Sequence, residues 1–253
     1  MSTNRASTPR IAVDSHDNIH SVWADYTNYS NSGTDSDIVY QEYNATSLTW
    51  STVQVVSTES TYNSYNPSIA IDSHDNVHVA WEDKTNFTNA GIDNDIFYKM
   101  FNTTTATWTT TTVISTESTG ASQYPSIAVD SQNNIHIAWH DTTAYGGSGS
   151  DKDIFHKMFN ATTGTWTVTD IISSESGGSS GYPDIAVDSK DNLHVTWTDN
   201  SAYGGSGGDT DVFYKMFNAT TATWTTTEVV STESSGASGY SKLAVDNQDN
   251  IHI

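Results

Sequence analysis

Apolar and polar positions fall into short runs along this chain, and the runs return at a fixed interval. The second copy shows the pattern. Ser68-Ile-Ala-Ile-Asp72 is a β-branched run, closed by the turn cluster Ser-His-Asp-Asn76. Val77-His-Val-Ala-Trp-Glu-Asp83 reads as the next strand, and a loop of Thr, Asn, Gly and Asp follows to Asp95. Ile96-Phe-Tyr-Lys-Met-Phe101 is a third strand, residues 102–107 a turn, and Trp108-Thr-Thr-Thr-Thr-Val-Ile114 a fourth. Nothing sustains a helical period, and threonine-rich stretches favour strand. Each copy therefore predicts four short strands.

The interval is 58 residues. It separates Trp23, Trp81, Trp139 and Trp197, then Trp50, Trp108, Trp166 and Trp224, then the four prolines Pro9, Pro67, Pro125 and Pro183. Copying one supersecondary unit in this way means that no copy buries its apolar face alone. Strand length and two tryptophans per unit fit a propeller blade better than a β-solenoid coil. The expected fold is all-β, a β-propeller of four-stranded antiparallel blades, in one domain over 1–253. Complete blades are expected near 9–57, 67–115, 125–173 and 183–231, with the start of a fifth at 241–253.

Both ends then carry the same first two strands. Either the terminal pair replaces the first pair, or the array continues, or two chains complete one ring as a homo-oligomer. The opening MSTNRASTPR lacks the apolar stretch of a signal peptide, and its Ser2-Thr3 echoes Ser118-Thr119 inside the repeat. The sequence reads as a piece of a longer array.

The repeated text "SIAVDS…NIH…W…DIFYKMFN…TW" resembles the BNR, or Asp-box, repeats of sialidase-like propellers, and the likeness runs through nearly the whole chain. In that family a Ser-x-Asp-x-Gly-x-Thr-Trp turn joins the third and fourth strands. Thr-Trp stands here at 49–50, 107–108, 165–166 and 223–224, whereas Thr46, Thr104, Thr162 and Thr220 replace the box aspartate. The resemblance implies the fold.

Composition adds a field. Nine Lys plus Arg stand against thirty Asp plus Glu, a net charge of −21, which repels nucleic acid and anionic membranes and favours cations. No apolar run reaches the ~18 residues of a membrane span, so no membrane insertion is expected. There are no cysteines. The richness in Ser, Thr, Asn and Gly suggests a secreted or cell-surface β-protein.

Three features offer chemistry. Each second and third strand are joined by an acidic loop with three carboxylates: Asp25, Asp35 and Asp37; Asp83, Asp93 and Asp95; Asp141, Asp151 and Asp153; Asp199, Asp209 and Asp211. Hard cations want several oxygens on a flexible loop, so Ca2+ is the expected cofactor there; the competing reading is strand capping and Asx-turns. Asn44, Asn102, Asn160 and Asn218 head Asn-x-Thr sequons in the third turn, read either as glycan acceptors or as turn residues. Tyr124, Tyr182 and Tyr240 between blades, with Tyr145 and Tyr203 in the acidic loops, offer rings to a glycan or protein partner, or pack locally. One histidine per copy on the second strand (His20, His78, His136, His194, His252) is expected to bond a neighbouring carbonyl rather than a metal.

The family resemblance raises sialidase chemistry, which needs three substrate-gripping arginines. Arg5 and Arg10 are the only arginines in this sequence. Catalytic sites also use residues that differ between units, and these copies differ mainly in loop fillers. The expectation is a noncatalytic, multivalent binding module for glycan or protein. The alternatives are a structural scaffold, or a glycan-active hydrolase or lyase that is not a sialidase.

Overall fold

The computed structural model describes residues 4–88 and 90–253. Met1–Thr3 and Asn89 lie outside the described residues, and with them the Ser2-Thr3 echo of the repeat.

Four antiparallel sheets succeed one another along the chain. The first holds β1 (Ala6–Val13), β2 (Ile19–Asp25), β3 (Asp37–Asn44), β4 (Thr49–Trp50) and β5 (Gln54–Val55). The second holds β6 (Ser64–Ile71), β7 (Val77–Asp83), β8 (Asp95–Asn102), β9 (Thr107–Trp108) and β10 (Thr112–Val113). The third has β11 (Ser122–Val129), β12 (Ile135–Asp141), β13 (Asp153–Asn160), β14 (Thr165–Trp166) and β15 (Asp170–Ile171). The fourth has β16 (Ser180–Val187), β17 (Leu193–Asp199), β18 (Asp211–Asn218), β19 (Thr223–Trp224) and β20 (Glu228–Val229). A hairpin of β21 (Ala244–Val245) and β22 (Ile251–His252) follows. Among the described residues the only helical element is one 3-10 turn, Tyr203–Gly205. No helix is long and apolar enough to cross a membrane.

The outer edge departs from the expected fourth strand. In place of one continuous strand, two two-residue pieces pair with the third strand, as β4 and β5 do with β3. Hydroxyl side chains explain the gap. Glu42 N–H donates to Ser51 Oγ, and the Met100, Met158 and Met216 N–H groups donate to Thr109, Thr167 and Thr225 Oγ1, each at 3.0 Å. A side-chain oxygen thus takes a donor that a strand carbonyl would have taken, and the ladder breaks there.

The first strand of each sheet begins earlier than the sequence suggests, with its proline inside. Pro67 is tolerated because β6 is an edge strand and carries a bulge: the register shifts between Tyr65 and Ser68, and Asn66 sits at φ +48°. Thr8, Tyr124, Tyr182 and Tyr240 occupy the equivalent position, all at positive φ.

The chain divides into two compact units, 1–125 and 126–253. In the first, one apolar cluster joins Val22, Ile38, Tyr40 and Val56 of the first sheet to Val77, Val79, Trp81 and Phe97 of the second. In the second, Ala138, Ile154 and Ile172 join Leu193, Val195, Trp197 and Phe213. The middle strands β7, β12 and β17 are buried at every residue, with hydrogen-bonded strands along both of their edges.

A buried ammonium ties the sheets within each unit. Lys99, 2% exposed, donates to the Val56 carbonyl at 2.9 Å, Thr58 Oγ1 at 2.6 Å and Glu59 Oε2 at 2.6 Å. In the second unit Lys215 donates to the Ile172 carbonyl at 3.0 Å and Glu175 Oε2 at 2.8 Å. Thr111 and Thr227 hydroxyls donate to the same two glutamates. Burial alone would raise both glutamate pKa values; the lysine and threonine hydrogen bonds outweigh it and lower them.

Substituting Lys99→Met removes the ammonium from the Val56 carbonyl and leaves Glu59 with only its hydroxyl donors, Thr58 and Thr111. It is expected to cost about 1–3 kcal/mol in urea denaturation at neutral pH, discounted for the partial exposure of Glu59. Because the folded Glu59 pKa is depressed, the wild-type advantage fades as pH falls through the ordinary glutamate range. Equal midpoints for the two proteins at neutral pH would rule the clamp out.

Candidate functional site

The acidic loops put two aspartates face to face. Asp25 is the cross-strand partner of Asp37, Asp83 of Asp95, Asp141 of Asp153, and Asp199 of Asp211. The eight are buried, so each needs its own compensation. For the second-strand set the indole supplies it. Trp23, Trp81, Trp139 and Trp197 Nε1–H donate to Asp25, Asp83, Asp141 and Asp199 Oδ2 at 2.8, 3.3, 2.9 and 3.4 Å. Their Oδ1 atoms accept the N–H of the residue two places on (Thr27, Thr85, Thr143 and Ser201). These aspartates are strand-end caps.

The third-strand set has a different partner. Asp37, Asp95, Asp153 and Asp211 Oδ1 accept the hydroxyls of Ser57, Ser115, Ser173 and Ser231. The middle carboxylates Asp35, Asp93, Asp151 and Asp209 are half-buried in the loop. Gly33, at φ +119°, admits Asp35: a Cβ there would lie 2.7 Å from Asp35 Oδ1, and Gly91 does the same for Asp93. The twelve aspartates therefore fall into three kinds with three environments.

The five candidate tyrosines do not form one site. Tyr145 and Tyr203 lean on Phe155 and Phe213 of their own sheets, at centroid distances of 6.0 and 6.2 Å. Tyr124 N–H donates to Glu82 Oε2 at 2.9 Å. Tyr182 and Tyr240 pair, with centroids 4.6 Å apart and planes at 45°. Both are held at positive φ (+54° and +56°), and Tyr240 is 72% exposed. They border a cavity of about 400 Å³, whose other walls are Thr198, Thr210, Ala237, Ser238 and Gly239.

Asn44, Asn160 and Asn218 each accept two backbone N–H groups of their turn on Oδ1, and Asn102 accepts that of Thr105. This is Asx-turn geometry.

The second-strand histidines are engaged within their own sheets. His20, His78 and His194 lie 2.7–2.8 Å from Tyr40, Tyr98 and Tyr214 Oη on one ring nitrogen, and 3.1–3.2 Å from Asp14, Asp72 and Asp188 on the other. At the same end of the sheets Asp14, His16 and Asp75 bring potential ligand atoms within 4.8 Å of one another, with His16 Nδ1 3.0 Å from Asp75 Oδ2. In the fourth copy Lys190 replaces that histidine and donates to Asp249 Oδ2 at 2.6 Å.

One position breaks the repeat where it is most buried. Ala24, Glu82, His140 and Thr198 are equivalent, all at the penultimate residue of the second strand and all buried. Burial raises the Glu82 pKa, against the lowering effect of Tyr124 N–H and nearby Asn66 and Gln123. Burial, then Lys152, pushes His140 down to about 3. Glu82 faces Tyr65 across the strands, and Tyr65 Oη lies 2.7 Å from Tyr26 Oη. Burial and that contact push Tyr65 up to about 12, leaving a neutral phenol on the strand opposite a carboxyl whose pKa burial raises. A 58-residue alignment of the copies exposes this column; comparison of whole motifs hides it.

No family model matches the chain, and no curated protein matches it in sequence. Solved structures share its fold. A Dyadobacter fermentans protein of unknown function matches with a TM-score of 0.67 at 9% identity, covering 99% of this chain and 75% of that one. A Hadza microbial sialidase matches at 0.56 and 10% identity, covering 88% of this chain and 46% of that one. An ulvan lyase matches at 0.58 and 12%, covering 90% and 59%. The chain thus spans about half the length of the sialidase and of the lyase. The likeness is to sialidase-like β-propeller proteins, and at these identities it shows the fold alone.

The expectation of a noncatalytic chain is corrected by this finding. The structures sharing the fold are mostly glycoside hydrolases and lyases. The copies are also not equivalent throughout, since the buried column at Ala24, Glu82, His140 and Thr198 differs in every one.

The raised Glu82 pKa has a sign that can be measured. Between the ordinary glutamate value of 4.5 and the folded value, the native state binds more protons than the unfolded one. Stability attributable to this group is therefore complete at low pH and declines as pH rises through that window. Glu82→Gln keeps an acceptor for Tyr124 N–H and removes the decline. The difference in Tm, variant minus wild type, is expected to grow from pH 4 toward pH 7; a constant difference would show that Glu82 is ionised without penalty.

Proposed function

We propose that this chain is an exported, carbohydrate-directed protein that engages a glycan on the shelf formed by Tyr182 and Tyr240. The observation that carries the reading is that ring pair, held at the mouth of a cavity of ≈ 400 Å³. A sugar presents an apolar C–H face and a rim of hydroxyls. The tyrosine rings suit the first, and the hydroxyls and backbone around Thr198, Thr210 and Ser238 suit the second. The polar composition and the net charge of −21 support export and argue against a nucleic-acid partner. Structures of similar fold include a sialidase and a polysaccharide lyase.

A second reading, cleavage of the glycan, rests on Glu82. A buried carboxyl with a raised pKa, facing the Tyr65–Tyr26 phenol pair, is equipped to give and take a proton. A sialidase clamp of three arginines is outside this reading, because the sequence has two.

A glycan array probed with the wild-type chain and with Tyr182→Ala/Tyr240→Ala tests the first reading. Retention on the bound glycans is expected to fall at least about tenfold in the variant, the loss of two stacking contacts. Equal retention, or no glycan bound by the folded wild type, overturns it. For the second reading, Glu82→Gln is expected to abolish reducing-end or unsaturated-product release from a polysaccharide panel while the fold is kept. A wild-type chain releasing nothing would remove that reading and leave the shelf intact.

A further inference from the structure

We infer that the acidic loops hold a hard divalent cation of the Ca2+ class, anchored by the carboxylate that opens the third strand: Asp37, Asp153 and Asp211. The four carboxylates of the second strand are spent on indole and backbone N–H groups, as described above. The third-strand carboxylates are half used. Oδ1 of each accepts a serine hydroxyl, at 2.9 Å from Ser57, 2.8 Å from Ser173 and 2.6 Å from Ser231. Oδ2 of each is buried and makes no hydrogen bond of ordinary geometry; the nearby Ser32 and Ser148 hydroxyls lower the Asp37 and Asp153 pKa values by less than burial raises them. The three side chains are at least nine-tenths buried, at 2%, 1% and 3% residue exposure. One such oxygen is an accident; the same oxygen in three copies is a construction.

The first sheet shows where it points. Tyr29 Oη and Ser32 Oγ are also buried without a partner, and together with Asp37 they line one cavity of about 160 Å³. Ser57, Thr58 and Ser60 complete its polar wall. A buried oxygen left unmatched loses its hydration without compensation, so three around one cavity call for a shared partner. Water would satisfy the two hydroxyls but would not offset the carboxylate charge. Asp35 and Asp83 act on Asp37 with the same sign, as Asp151 and Asp199 act on Asp153. No lysine or arginine lines the cavity. The carboxylate must therefore take up either a proton or a cation.

The ligand chemistry favours a hard ion. Carboxylate, hydroxyl and loop carbonyl oxygens are all that is offered, without thiolate or imidazole. Ca2+ accepts such sets at ~2.3–2.6 Å from flexible loops, with water completing the shell, whereas Mg2+ demands a stricter octahedron. The loop between Asp25 and Asp37, with Ser30, Asn31 and Gly33 at positive φ, turns tightly around this point.

The test uses the full chain at neutral pH, in millimolar CaCl2 and in EDTA. Wild type is expected to gain about 4 °C or more in Tm with Ca2+. The variant Asp37→Asn/Asp153→Asn/Asp211→Asn keeps the Oδ1 acceptors and removes the charge. It is expected to melt at least as high as wild type in EDTA and to lose the Ca2+ gain. Should the triple variant fail to fold, the single Asp37→Asn chain is titrated calorimetrically, and its Ca2+ stoichiometry should fall by one. An unchanged wild-type Tm, a triple variant that keeps the full gain, or an unchanged stoichiometry overturns the proposal.

Discussion

Lys99 carries an ammonium into the seam between two sheets and spends it on a backbone carbonyl, a hydroxyl and a carboxylate of the preceding sheet. Much of the architecture of a unit depends on this kind of seam. A single sheet of this chain has two apolar faces and no helix to cover either, so its Trp–Phe layer is dry only against the next copy. Apolar contact is non-directional and does not fix how two sheets are offset. A buried ammonium that must find three oxygens does. Removing it would leave the apolar cluster intact but its register weakly specified. The same seam explains the unusual exposure of Trp50, which at 51% lacks the covering neighbour that Tyr40 and Gln54 provide to Trp108.

At the loop end of the sheets the governing difficulty is electrostatic. Two buried aspartates stand opposite one another in every sheet, an arrangement that destabilises unless each charge is matched separately. The indole N–H and a turn amide match one of them. The serine that follows the outer strand matches half of the other. That asymmetry decides which carboxylates are structural and which are available to a ligand, and it is invisible in the motif, where all read alike as Asp.

The repeat also conceals the residues best suited to proton transfer. Alanine, glutamate, histidine and threonine occupy one buried column on the second strand. Tertiary burial, rather than residue type, shifts Glu82 and His140 away from their ordinary titration ranges. A chain of near-identical copies can thus place a unique group in each unit without disturbing the lattice of Trp, Phe and Lys around it.

The amino-acid sequence alone determined the all-β class, the 58-residue unit, the strand Val77–Asp83 and, short by one residue at each end, the strand Asp95–Asn102, because burial forces their apolar patterns. It did not determine the partners of the second-strand histidines, which meet a phenol and a carboxylate at His20, His78 and His194 where a backbone carbonyl was expected. Tertiary structure decided the rest. Hydroxyl–backbone bonds cut the fourth strand in two, and a bulge carried the prolines into the edge strands. Burial against the neighbouring sheet set Glu82, Lys99 and the Asp37 Oδ2 atom apart from their look-alikes. The physical reason is common to all of these: a local pattern reports which residues prefer to be inside, whereas the fate of a polar group inside depends on a partner supplied by another strand or another copy.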